Sequence, residues 1–137
     1  MATLTYRTIS KVPKVSIYSY SGAQCSQRHY MGQMRADGVP YERWLGRMID
    51  PALATFPSTV AAGSSYSSTL LLDVSGNGNV ICNVGFRFTP LEGASYEALV
   101  SHESQRCQVR VERIGAVKDG SAQRVTERIT SPNESCS

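Results

Sequence analysis

Residues 69–88 read TLLLDVSGNGNVICNVGFRF, and the alternation of apolar and polar side chains in this stretch predicts a β-hairpin. In the second arm every other residue from Val80 to Phe88 is apolar, which is the two-residue period of a strand with one buried face. The first arm, from Leu70 to Val74, repeats the pattern more briefly. Asn and Gly between the arms tolerate the positive φ that tight hairpin turns require. The predicted inward residues are Leu70, Leu72, Val74, Val80, Cys82, Val84, Phe86 and Phe88.

Segments on both sides of this hairpin also have strand character. Residues 3–20 are rich in Thr, Tyr, Val and Ile, and Pro13 within them indicates a break or an edge position. Apolar residues alternate again over 107–113, which predicts a third strand with its odd-numbered apolar residues facing inward. A mostly polar run over 123–130 follows an Asp-Gly turn and predicts a last strand at an edge of the sheet.

Three stretches predict helices. Residues 41–54 have the clearest pattern, with apolar residues at i, i+3, i+4, i+7 and i+8 from Tyr41, and Pro51 ends or kinks that helix. A Thr-Pro pair followed by Glu precedes an apolar face that predicts a helix over 95–105. A shorter helix is predicted over 23–35. The apolar faces of these last two helices are Tyr96, Leu99 and Val100, and Tyr30, Met31 and Met34.

Together these elements define one α+β domain. We expect a small antiparallel sheet of three to four strands, with two or three helices packed on one face. Residues 1–22 form an extended N-terminal segment, 23–130 the α+β core and 131–137 a tail. Within the core, the small and polar residues 57–68 form a loop. With 137 residues, the chain is long enough to bury a core of its own.

The composition, with 41% apolar and 18% charged residues, is typical of a soluble globular protein. No apolar run approaches the roughly 20 residues that a membrane span needs. The N-terminal residues lack the apolar core of a signal peptide. Either the protein stays where it is made, or a leader or anchor preceded Met1, and the sequence allows both.

Positive charge concentrates near the C-terminus of a chain that has eleven arginines and three lysines. Residues 106–128 contain six basic and three acidic residues, so this segment carries +3, the net charge of the whole chain. Arginines on a sheet face can bind phosphates, but no aromatic residues alternate with these, as a single-strand stacking platform requires. We therefore favour a solvated face whose opposite charges pair across strands. The alternative is a nucleic-acid-binding or virion-associated small protein that uses this Arg-rich face.

Four cysteines, Cys25, Cys82, Cys107 and Cys136, allow three pairings if all are oxidised. Cys82 and Cys107 both fall on inward faces of predicted strands. Two interpretations stay open for them. They are buried free thiols, which are common as small core residues, or they form a disulfide in an oxidising compartment.

Catalytic and metal-binding motifs are not apparent in the sequence. There is no G-x-S-x-G, no Gly-rich phosphate loop before a helix and no Cys/His cluster with zinc-ligand spacing. The two histidines, His29 and His102, lie on separate predicted helices, and no carboxylate pair is indicated. We expect no enzymatic activity, no cofactor and no metal site. A small enzyme or an enzyme inhibitor is a further alternative, which a deep pocket around either histidine would favour.

Several short motifs follow one another in an order that is informative as a set. They are the helix 41–54, Phe56-Pro57, Ala61-Ala62-Gly63, the strand 70–74, Gly78-Asn79-Val80, the strand 80–88, the helix 95–105, the strand 107–113 and Asp119-Gly120. Over residues 41–130 this order resembles the C-terminal domain of TonB and TolA, the periplasmic ends of energy-transducing envelope proteins. In that family a helix leads into an aromatic-Pro pair, and a Gly-x-Val turn joins the first two strands.

The resemblance implies a non-enzymatic protein-binding module of the periplasm and cell envelope with a role in transport. It implies β-augmentation, in which an exposed edge strand pairs its backbone with an extended segment of a partner protein. A second copy of the chain is another candidate partner, because a short polar edge strand also pairs with itself. The implied partner-binding residues are Arg110, Glu112 and Arg113, with Arg124, Thr126 and Arg128 at a second edge.

Overall fold

The computed structural model describes residues 1–9, 14–21, 27–35, 55–73, 81–103, 106–118 and 121–130. Over these residues the chain is mostly strand and contains no helix. The strands are numbered in chain order. They are β1 (Ala2–Thr8), β2 (Lys14–Ser21), β3 (Gln27–Arg35), β4 (Thr55–Val60), β5 (Tyr66–Asp73), β6 (Ile81–Phe88), β7 (Ser95–Glu103), β8 (Arg106–Lys118) and β9 (Ser121–Thr126).

These strands form two sheets. The five-stranded sheet has the order β4-β1-β7-β8-β9, and the four-stranded sheet has the order β3-β2-β5-β6. Among the described strands, every pair is antiparallel except β1 with β7, which run parallel. The predicted hairpin is confirmed as β5 and β6, in a register that places Leu70 beside Val84 and Leu72 beside Cys82.

The inner faces of the two sheets pack against each other around one core. Burial alternates along β1 with a period of two, and the inward face predicted for the hairpin contributes to the same core from the other sheet. Aromatic rings meet across the interface, with Tyr6 and Phe86 centred 6.1 Å apart and Phe88 and Tyr96 centred 4.9 Å apart. The architecture is therefore a two-layer β-sandwich.

A disulfide closes one side of the sandwich. Cys82 of β6 and Cys107 of β8 are bonded, with their Cα atoms 6.3 Å apart. Because β6 and β8 belong to different sheets, the bond fastens one sheet to the other. Of the two interpretations that the sequence left open for these cysteines, the structure has the disulfide.

The chain after β9 crosses the same side of the sandwich. The Glu127 N–H donates to the Val111 carbonyl of β8 at 2.8 Å, so the segment leaves from the five-stranded sheet. Thr130 and Arg87 of β6 then exchange two backbone hydrogen bonds of 2.9 and 3.1 Å. Ile129, between these points, packs against the core. Residues 127–130 therefore link the edges of both sheets.

At the opposite side, β3 and β4 meet through a close contact at Gly32. A Cβ added to Gly32 would lie less than 3 Å from two ring carbons of Phe56. The Phe56 ring packs in turn edge-on against Tyr6, with centres 6.4 Å apart. Glycine at position 32 therefore allows the two sheets to approach each other here.

The helix predicted over 95–105 is wrong, because residues Ser95–Glu103 form β7. Tyr96 and Val100 face the core, whereas Leu99 lies on the outer face and is still only 5% exposed. The register places Leu99 between Arg7 of β1 and Arg110 of β8. Because β7 is buried on both faces, Tyr96, Leu99 and Val100 are all apolar. They fall at i, i+3 and i+4, which is also the spacing of an amphipathic helix.

The helix predicted over 23–35 is also wrong, because most of these residues form β3. This strand has a β-bulge in which Met31 is an extra residue between the partners of Ile17 and Tyr18 in β2. The extra residue changes which face the following residues occupy, and both Met31 and Met34 pack against the core. Two core residues three positions apart are typical of a helix. A β-bulge gives a strand the same spacing, because it shifts the residues after it to the opposite face.

The predicted α+β class is therefore wrong, since helices packed on a sheet are replaced by a second sheet over the described residues. The loop predicted over 57–68 contains most of β4 and the start of β5. The helix predicted over 41–54 lies outside the described residues, as do the hairpin turn, Asp119-Gly120 and the tail 131–137. No described segment forms a helix that could cross a membrane.

Candidate functional site

The last strand of the five-stranded sheet, β9, pairs only with β8 within the described chain. The hydrogen bond from Glu127 to Val111 sets the alternation of this antiparallel ladder. Val125 then falls in a hydrogen-bonded pair, whereas the N–H and C=O groups of Arg124 and Thr126 point away from β8. The prediction of an edge strand in this region is confirmed over residues 121–126, and no other described strand pairs with its outward backbone groups.

The other edge of the same sheet is β4, and it has a different character. Pro57 lies opposite Thr5 of β1. Because proline has no N–H, it fits a strand where that group would point out of the sheet. A proline at this position blocks further strand pairing. A shallow groove on the outer surface beside it is lined by Thr3, Thr5, Pro57, Ser58 and Thr59.

An ion-pair network crosses the outer face of the five-stranded sheet from β1 to β9. The Glu97 carboxylate lies 2.7 Å from Arg124 and 3.6 Å from Arg7. The Glu112 carboxylate accepts from Arg124 at 3.1 Å and from Arg110 at 3.1 Å. The hydrogen bonds to Glu97 and Glu112 raise the pKa of the Arg124 guanidinium. Three arginines and two glutamates thus hold one another on this face.

Four of the predicted partner-binding residues lie together at this network. Arg110, Glu112 and Arg124 are members of it. Thr126 is the register partner of Glu112 and is exposed. The structure therefore brings residues from both predicted edges onto one surface, although β8 is not an edge and lies between β7 and β9.

The other two predicted residues lie elsewhere. Arg113 is the register partner of Tyr96, whose side chain is buried in the core. By strand alternation Arg113 shares the inner face with Val111 rather than the outer face with Arg110. Arg128 is exposed on the segment that crosses between the sheets. Neither residue joins the outer-face network.

A chain of hydroxyl groups joins the two sheets inside the core. Tyr6 Oη donates to Ser68 Oγ at 2.8 Å, and Ser68 Oγ donates to the Tyr18 carbonyl at 2.7 Å. Tyr66 Oη hydrogen-bonds Tyr6 Oη at 2.7 Å and donates to Met31 Sδ at 3.3 Å. Burial raises the pKa of the hydroxyl groups of Tyr6 and Tyr66. These groups satisfy one another and hold the sheets together.

The outer face of the four-stranded sheet carries a group that sequence reasoning missed. The Arg28 guanidinium carbon lies 4.5 Å from the centre of the Tyr18 ring, and the Tyr18 and Tyr30 rings are centred 5.5 Å apart. Tyr20 Oη hydrogen-bonds Thr69 Oγ1 at 3.0 Å. We define the tyrosine–arginine face as Tyr18, Tyr20, Tyr30, Arg28 and Arg87. A spacing of two in both Tyr-Ser-Tyr and Arg-His-Tyr was the available signal, and the helix predicted over the second segment concealed it.

The two histidines do not come together. His29 is on β3 and His102 is on β7, in different sheets. His29 Nε2 hydrogen-bonds Ser21 Oγ at 2.6 Å. In the part of the chain that the structure describes, no three His, Cys, Asp or Glu residues are grouped to hold a metal ion. The threonine-lined groove has no side chain that titrates near neutral pH.

Comparison with known proteins adds no relative. Neither a protein-family model nor a curated protein matches this chain. Over the described residues the chain is a disulfide-linked β-sandwich whose larger sheet has one edge that contains a proline and one edge, β9, that pairs with no further described strand. These features point to binding surfaces as the candidate sites.

Proposed function

We propose that this protein is a non-enzymatic binding module that pairs β9 with an extended segment of a partner protein. The observation that carries the proposal is the direction of the backbone groups of Arg124 and Thr126. An extended peptide that lies along them extends the sheet by one strand, and main-chain hydrogen bonds supply the affinity.

The contrast between the two edges of the five-stranded sheet supports this choice. Pro57 stands in β4, whereas β9 reads SAQRVT without a proline. Arg124 is held by Glu97 and Glu112, which fixes the strand against the rest of the sheet. A pre-ordered edge loses little conformational entropy when a partner binds. Among the described residues, the outer side of the β9 edge is thus unpaired, and ion pairs hold the strand in place.

The network also weakens the alternative of nucleic-acid binding through the C-terminal arginines. Arg110 and Arg124 each lie within 3.1 Å of a glutamate oxygen. A phosphate would have to compete with those carboxylates for the same donors. This part of the outer face suits a protein strand better than a polyanion.

The disulfide supports a place in an oxidising compartment, such as the periplasm. Edge pairing does not require the fold of the TonB and TolA domains, and the helix that the resemblance places over 95–105 is β7. The mechanism of edge pairing needs only the open strand.

Substitution of single edge residues by proline tests the proposal. Thr126→Pro removes an outward N–H without a loss of any hydrogen bond to β8. Thr59→Pro is the matched control, because Thr59 has the same outward orientation as Pro57 on the blocked edge. A random-peptide library is selected on the wild-type chain without reductant, and the affinity of each recovered peptide is measured for both variants.

We expect Thr126→Pro to weaken binding more than about tenfold, since it removes a hydrogen bond and adds a ring at the interface. Thr59→Pro should leave the affinity unchanged. Amide hydrogen exchange should show slowed exchange at Arg124 and Thr126 when the peptide is bound. If Thr126→Pro melts like the wild type and still binds as tightly, β9 is not the docking edge.

Self-association has its own readout. If β9 pairs with β9 of a second copy, sedimentation of the wild-type chain alone detects a dimer, and Thr126→Pro converts it to a monomer. A monomer at every concentration leaves a different protein as the partner and excludes the homodimer.

A further inference from the structure

We propose that the tyrosine–arginine face binds single-stranded nucleic acid. This site lies on the four-stranded sheet and does not depend on the proposed β9 function. Tyr30 is 56% exposed although its ring packs against that of Tyr18. An exposed ring that a neighbour holds in position is a stacking surface for a base.

Arg28 provides a second planar surface beside that ring. Its guanidinium lies over the Tyr18 ring at 4.5 Å, and the residue is exposed. No carboxylate of a described residue forms an ion pair with it. A guanidinium plane stacks on bases, and its charge binds phosphate. Arg28 is therefore placed for both contacts.

A strip of small residues runs beside the tyrosines. Thr69 and Ser67 of β5 are the register partners of Tyr18 and Tyr20, and Gly85 of β6 follows Thr69. Tyr20 Oη reaches Thr69 Oγ1 at 3.0 Å and Ser67 is only 4% exposed, so the strip is partly covered. The proposed nucleotide strand therefore lies against the exposed Tyr30 and the Arg28 guanidinium at its border.

Arg87 marks the far border of the same strip. It is the register partner of Ser67, which in turn pairs with Tyr20. Two strand spacings of ~4.8 Å place its Cα roughly 10 Å from that of Tyr20. Aromatic rings thus lie on one side of the strip, and positive charge lies at both sides.

Charge favours a polyanion over a neutral sugar or a protein strand on this face. Its described charged side chains are Lys14, Arg28 and Arg87 against Asp73, which leaves a net charge of +2. Single-strand binding proteins combine such charge with stacking rings. The occupant is therefore single-stranded RNA or DNA.

Fluorescence anisotropy with labelled oligouridine and oligothymidine tests this proposal on the full oxidised chain. We expect binding at low salt and a steep loss of affinity as salt increases. Tyr30→Leu should weaken binding about fivefold or more, because a base loses its stacking partner. Tyr30→Phe keeps the ring and should bind like the wild type. If only one of the two oligonucleotides binds, the proposal is supported and the result shows whether the protein prefers RNA or DNA.

Arginine variants separate this face from the opposite one. Arg28→Gln should lower the affinity and reduce the salt slope by about 0.7, the value for one phosphate contact of a single strand. Arg110→Gln on the five-stranded sheet should change neither quantity. The proposal is overturned if neither oligonucleotide binds at low salt, if folded Tyr30→Leu binds like the wild type, or if Arg110→Gln loses as much affinity as Arg28→Gln.

Discussion

The outer faces of the two sheets use arginine in different ways. On the five-stranded sheet, Arg124 lies 2.7 Å from Glu97 and 3.1 Å from Glu112, so its charge is balanced at the surface. On the four-stranded sheet, Arg28 lies over the Tyr18 ring, and no described carboxylate forms an ion pair with it. One face is organised around ion pairs, and the other around a cation and aromatic rings.

A count of arginines therefore does not identify a polyanion site. The Arg-rich C-terminal segment has the higher charge in the sequence, yet Arg110 and Arg124 are engaged with glutamates. The four-stranded sheet has fewer basic residues but combines Arg28 with three tyrosines. Whether an arginine can bind a polyanion depends on the side chains that contact it, and the fold determines which side chains those are.

The largest loss of stability is expected from removal of the disulfide that links the two sheets. Cys82→Ser combined with Cys107→Ser removes a crosslink between residues 25 apart in sequence. In the chain-entropy model this costs about 3.5 kcal/mol, because the unfolded chain gains conformational freedom. Urea unfolding should show the same loss for the reduced wild type. Equal unfolding midpoints with and without reductant would contradict the prediction.

The next effect concerns the hydroxyl chain between the sheets. Tyr6→Phe removes the donor to Ser68 and the hydrogen bond with Tyr66, and should cost about 1–2 kcal/mol at neutral pH. Tyr30→Phe, at an exposed hydroxyl, is the control and should cost much less.

The same network predicts alkaline sensitivity. Burial raises the pKa of Tyr6 and Tyr66 above 10, so above that pH the unfolded chain releases protons that the folded chain retains. The unfolded state then binds fewer protons, and the free energy of unfolding falls as pH rises. Tyr6→Phe should make this fall shallower in urea titrations between neutral and alkaline pH. An unchanged slope would show that the Tyr6 hydroxyl does not remain protonated in the fold.

The smallest effects compare the two faces directly. Arg124→Gln should cost less than about 1 kcal/mol, since the side chain is 38% exposed, and the cost should shrink as salt screens the pairs. Arg28→Gln should cost about 0.5 kcal/mol, the lower value for an exposed cation–π contact, with a weaker salt dependence. Thermal unfolding at low and high salt measures both. Equal salt dependence would remove the distinction between the faces.

Local alternation was enough to predict several parts of this fold. The hairpin of β5 and β6, the inward face that includes Leu70 and Phe86, the strand after Cys107 and the polar edge strand with Thr126 all follow from a period of two. Each depends on neighbours along the chain and on which face meets a core. For that reason the edge of the proposed docking site was predictable, whereas the placement of Arg113 on the inner face was not recognised.

The sequence alone thus indicated where several strands run and which of their faces are apolar. Only the tertiary structure decided that β7 is buried on both faces, that a bulge directs both Met31 and Met34 to the core, and that Arg28 lies over Tyr18. In each case the deciding contact comes from a strand that is distant in sequence or from a change of register. A periodic pattern records which side of a residue is buried, but it does not record what lies there.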